Sequence, residues 1–106
     1  MEEVEITEED LAPFTSEDER ELAVLELERG RMVQEMMKSD GWKVLSEEFT
    51  ARRNVLMGYM LSKCGTVEQF LEMKHAIGGI DSLFTLAENH VRTAEVAAAR
   101  LSREQM

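Results

Sequence analysis

Glu72 and His75 are the residues whose types and spacing come nearest to chemistry. A Glu-x-x-His step projects a carboxylate and an imidazole from one helical face, a donor pair that suits iron or manganese when facing helices add further carboxylates. The residues expected opposite are Asn54 and Met57, and the chain holds no second Glu-x-x-His. A dimer would duplicate the motif, so metal binding by Glu72 and His75 is an alternative to a plain solvated face. Cys64 follows Lys63 and precedes a helix start at Thr66, and both features favour a thiolate. A catalytic thiol also needs a base aimed at it, and neither His75 nor His90 is tied to it by spacing. Arg52-Arg53 is the only arginine doublet. At helical spacing one of the two faces a neighbouring helix, where Asp81 is the expected partner. Without further basic neighbours they form no nucleic-acid patch. No residue set here carries catalysis, and the expectation is a non-enzymatic protein without a cofactor.

The elements that position these side chains come from apolar periodicity. Trp42, Leu45, Phe49, Leu56 and Tyr59 recur at helical spacing before the turn Lys63-Cys64-Gly65-Thr66, and Phe70, Met73, Ile77, Ile80, Phe84 and Ala87 do so after it. Two amphipathic helices joined by so short a loop fold back on each other. The predicted fold is therefore all-α: an antiparallel hairpin over residues 42–90 whose core is these residues, plus an N-terminal helix. The pairing puts Tyr59 near Phe70, Phe49 near Ile80, Leu45 near Phe84, and Trp42 near the small Ala87. The second helix is expected from Asp40 or Gly41 to about Lys63. The third opens on the capping box Thr66-Val67-Glu68-Gln69 and ends either near Asn89 or as late as Arg103. Gly78-Gly79 interrupts it opposite Thr50 and Ala51, which predicts close helix packing at the pair.

Upstream, Ser16 and Glu19 form another capping box, opening a first helix that ends near Ser39-Asp40-Gly41. Gly30 weakens that helix. Residues 1–15 contain the single proline and scattered apolar side chains, and read as a flexible acidic arm that orders on a partner. Residues 16–106 form one helical domain, with 91–106 as an alanine-rich extension that packs on the first helix or on another subunit. Val4, Ile6, Leu11 and Phe14 in the arm and Val91, Ala94, Ala98 and Leu101 in the extension are the expected interaction residues.

Charge is unevenly spread. Residues 1–28 hold 12 of the 22 acidic groups and one basic group, whereas the remainder holds 10 acids and 11 bases. So acidic an arm repels nucleic acid, whose binding depends on cations placed against phosphates. A basic protein surface is the better partner. One cysteine excludes an internal disulfide and suits a reducing compartment. No apolar run reaches the ~20 residues of a membrane helix, and the acidic start lacks the layout of a secretory signal. The expected location is intracellular, with no membrane partner.

The tryptophan at the head of the second helix, Gly41-Trp42-Lys43-Val44-Leu45, the arginine-containing middle, the short turn and Ile77-Gly78-Gly79-Ile80 together resemble small uncharacterised helical-hairpin proteins of tailed bacteriophages encoded near portal and packaging genes. The resemblance spans about Gly41 to Asn89 and supplies no catalytic residue. It implies a structural or adaptor role in a virion or head assembly, in the host cytoplasm and the virion, through self-association or contact with a larger ring such as a portal. An acidic inhibitor that imitates nucleic acid and occupies a basic host protein is the alternative from a different class.

Overall fold

The computed structural model describes residues 5–105. Among these residues there are three α-helices, α1 (Glu17–Met37), α2 (Asp40–Ser62) and α3 (Val67–Glu104), and no strand. Each start is set by one hydroxyl. Ser16 accepts the Glu19 N–H, Ser39 accepts that of Trp42 and Thr66 accepts that of Gln69, each at 3.1 Å. These bonds satisfy donors that a helix N-terminus otherwise leaves unpaired. The expected capping boxes close one residue further out: Glu19 accepts from the Thr15 N–H and Gln69 from the Gly65 N–H. α2 stops where the Lys63 N–H reaches back to the Tyr59 carbonyl. Of the two ends considered for α3, the helix takes the later one.

The chain divides into two compact units. Met37–Leu86 forms one, made of α2 and the first half of α3. The other joins the residues up to Met36, including α1, with the remainder of α3 from Ala87 on.

Met37–Leu86 is the hairpin that the apolar spacing predicts. Trp42 and Phe49 both meet Phe84 edge-on, with ring centroids at 5.8 and 6.4 Å. Arg53 grips Asp81 in a two-pronged contact, Nε donating to Oδ1 at 2.6 Å and a terminal nitrogen to Oδ2 at 3.2 Å. Burial is another matter. Ile77 is the one buried residue in this unit, and Leu45, Tyr59 and Phe70, expected in the core, are 48%, 39% and 42% exposed. Trp42, Phe49, Leu56, Ile80 and Phe84 are half-buried. Two helices have one line of contact, and side chains flanking that line need a further layer to cover them.

The other unit is built on small residues. Its buried apolar positions are Ala23, Ala87, Ala94 and Ala97, with Gly30 buried beside them. An added Cβ on Gly30 would lie 2.1 Å from the Ala94 Cβ and 2.5 Å from the His90 carbonyl oxygen. Glycine therefore permits the approach of α1 to α3 here, and α1 runs unbroken through it. At Gly78 and Gly79 an added Cβ meets nothing within 4 Å. The close packing expected at that pair is thus corrected: both glycines are exposed, and the close crossing lies at the glycine that seemed only to weaken its helix.

Candidate functional site

Three arginines on one end of α3 organise the densest polar cluster. Arg100 donates through Nε to the Ala12 carbonyl at 3.1 Å and through a terminal nitrogen to Glu19 at 2.6 Å, while its guanidinium lies over the Phe14 ring, 4.2 Å from the centroid. Arg92 pairs with Asp10 and Arg103 with Glu8, both at 3.4 Å, and Arg20 of α1 donates to Glu104 at 2.9 Å. The Thr15 hydroxyl, then Arg100 and the Thr15 N–H, hold the Glu19 carboxyl down at about 2. Asp10 lies below its usual value because the Thr7 N–H and hydroxyl, and more weakly Arg92, favour its ionised form. Thr7 and Asp10 exchange N–H bonds to each other's side chains, and this fixes the turn over Glu8–Leu11.

The arm expected to be flexible thus finds partners within its own chain from Glu8 onward. Leu11, Ala12, Pro13 and Phe14 face Arg100, Arg103 and Glu104 across an open cleft of about 350 Å3. The cleft is cationic, yet Arg100 already makes two hydrogen bonds and a ring contact, so it acts as a strap for the arm.

The expected interaction residues fall largely into this packing. Ala94 is buried, and Ile6, Leu11, Phe14, Val91, Ala98 and Leu101 are half-buried. Val4 lies outside the described residues. Of the two packings expected for the extension, Ala94 takes the one on α1, against Gly30, and Arg100 lies over Phe14.

Exposed apolar surface lies elsewhere. Among the described residues fourteen large hydrophobic ones are exposed, ten of them in the hairpin, and Val55, Leu61 and Val67 keep 71%, 76% and 75% of their surface in water. The remaining four, Leu22, Leu25, Met32 and Met36, are on α1. Of the ten in the hairpin, the spacing puts Leu45, Tyr59 and Phe70 in the seam and gives no place to the other seven. Charge follows the same division. Met37–Leu86 holds six acidic and six basic residues and is neutral, so the other unit, with 16 acids and 6 bases, carries the whole net charge of -10.

Glu72 and His75 are both exposed on α3, and among the described residues no three His, Cys, Asp or Glu side chains converge as a metal site would need. Cys64 is half-buried in the loop between α2 and α3, and His90 is half-buried on α3. Arg53 takes Asp81, as expected for one member of the doublet, and Arg52 points outward. No described helix is long and apolar enough to cross a membrane. Comparison with protein families, with curated proteins and with solved structures finds no match.

Proposed function

We propose that this chain is a non-enzymatic structural or adaptor protein that works through helix-to-helix protein contacts, as a component of a tailed-phage virion or head assembly at the portal or head-to-tail region. One observation carries the reading: a neutral hairpin leaves ten large apolar side chains in water while burying a single residue, Ile77. Exposed apolar surface on that scale marks a contact site. The phage setting rests on the resemblance over Gly41 to Asn89 and on nothing else. The partner is a second copy, a larger ring, or both.

The acidic inhibitor is less well supported. A nucleic-acid mimic needs carboxylates free for a basic groove, whereas Glu8, Asp10, Glu19 and Glu104 are engaged by arginines of the same unit. Among the described residues the metal reading lacks a third ligand near Glu72 and His75.

The test is light scattering coupled to size exclusion on the full chain, alone and with portal and capsid proteins, followed by electron microscopy of any complex. An oligomer or a decorated ring is the expected result. A strict monomer at high concentration that binds neither portal nor capsid would overturn the proposal.

A further inference from the structure

The two broad faces of the hairpin differ in character. On α2 the inward rows are Trp42, Phe49, Leu56 and Ser46, Arg53, Met60; on α3 they are Phe70, Ile77, Phe84 and Met73, Ile80. Both follow a seven-residue repeat, and in an antiparallel pair equivalent flanks of the repeat lie on the same side of the seam. One side therefore collects Leu45, Val55, Tyr59, Ala76, Gly79 and Leu83, all exposed, along with the charged Glu48, Arg52 and Glu72. The opposite side presents Lys43, Glu47, Thr50, Asn54, Lys74 and Thr85, with apolar Met57, Leu61, Val67 and Leu71 only toward the loop. The first side is apolar along its length, whereas the second is polar away from the loop.

We infer that the apolar face, Leu45, Val55 and Tyr59 of α2 with Ala76, Gly79 and Leu83 of α3, docks against the same face of a second copy to form a four-helix bundle. This deepens the reading above and rests on it. Three observations select a second copy over an unlike partner. The hairpin is neutral, so two copies meet without net repulsion, while the charge of -10 lies in the other unit. The polar members of the face on α2, Glu48 and Arg52, are four residues apart with opposite charge. A two-fold axis passing between them sets each Arg52 against the Glu48 of the other copy, in both directions at once, as a self-complementary interface requires. Size fits as well. Helices of about 20 residues are about 30 Å long, and two abreast are about 20 Å wide. That flat footprint of about 600 Å2, enlarged by side-chain relief, approaches the ~800 Å2 per partner of a stable interface. Gly79, with open space where a Cβ would stand, and Ala76 let the second copy approach closely.

Sedimentation equilibrium of the full chain tests the inference, with circular dichroism on every variant. The chain is expected to sediment as a dimer. Leu83→Glu and Tyr59→Glu raise the dimer dissociation constant by about tenfold or more, as central interface residues do, and Leu61→Glu on the other side leaves it unchanged. If the apolar variants lose helix, charge reversal decides: Arg52→Glu and Glu48→Arg each weaken the dimer, and the double reversal restores it. A monomer overturns the inference, as does a dimer that Leu61→Glu weakens equally or that double reversal fails to restore. A monomer that still binds portal or capsid sinks the dimer and spares the assembly role. A dimer with this face that binds neither upholds the inference and removes the phage setting alone.

Discussion

Replacing Gly30 with alanine sets two well-characterised effects against each other. In an open helix the change is favourable by about 1 kcal/mol, because alanine restricts the unfolded chain and completes the helix surface. At Gly30 the new Cβ would stand 2.1 Å from the Ala94 Cβ, 2.5 Å from the His90 oxygen and 3.3 Å from the Ala94 Cα. Ordinary carbon contacts are about 3.5–4.0 Å, so α1 and α3 must separate by about 1.5–2 Å. The obstructing atoms belong to backbone and Cβ positions that no rotamer change can clear. Overpacking of this kind costs about 3 kcal/mol at the upper end of its usual range, which leaves a net loss of about 2 kcal/mol. For a chain of this size that lowers the melting midpoint by about 10 °C. Gly58→Ala and Gly78→Ala, where an added Cβ meets nothing, each gain up to about 1 kcal/mol. The assay is thermal and urea unfolding followed by far-ultraviolet circular dichroism. Adding Ala94→Gly to the Gly30 variant should recover part of the loss, since it removes the nearest atom but not the His90 carbonyl. A Gly30→Ala protein that melts higher than wild type, as the Gly78→Ala protein should, would refute the close crossing.

Other expectations concern the charged contacts. Glu19 has its pKa lowered from 4.5 to about 2 in the folded chain, so its contribution to stability is complete above pH 4.5 and is lost as pH falls toward 2. Melting midpoints measured between pH 5 and 2 should fall, and Glu19→Gln should flatten the curve over that window. Arg100→Ala should free the arm: limited proteolysis within residues 5–15 accelerates several-fold while the helical signal is retained, and an unchanged cleavage rate would argue against the strap. Arg53→Ala and Asp81→Ala should lower the melting midpoint non-additively in a double-mutant cycle, and added salt should shrink the coupling.

The parts of the fold that depend on local spacing were legible. Hydroxyls at Ser16 and Thr66 mark the helix starts, and the run of apolar residues on either side of Lys63 to Thr66 marks the hairpin. The pairing of Arg53 with Asp81 followed from the same register. What escaped depends on surfaces rather than on spacing. A glycine's effect in a helix is set by what stands opposite it, and the backbone at His90 and Ala94 is 60 or more residues away from Gly30 in sequence. Gly78-Gly79 looked like the packing pair because two glycines together attract attention, yet nothing approaches them. The arm looked unpaired because its partners, Arg92, Arg100 and Arg103, lie in a distant segment whose charge was nearly balanced on paper. Periodicity showed which residues are apolar; it could not show that two helices are too few to cover them.

The division of the chain also sets an order of assembly during synthesis. Everything needed for the hairpin lies between Met37 and Leu86, and its Arg53–Asp81 contact spans only 28 positions. The other unit joins the two flanks of the chain, through contacts such as Arg20 with Glu104 and Glu8 with Arg103 that span 84 and 95 positions. α1 leaves the ribosome early, yet its companion segment, Ala87 onward, follows only after the whole hairpin has been made. At about 5–20 residues per second, α1 waits several seconds with Ala23 and Gly30 uncovered. A chain truncated before Ala87 would therefore keep every residue of the hairpin and leave an acidic first helix without its companion segment, and is the form in which a chaperone would find most to hold.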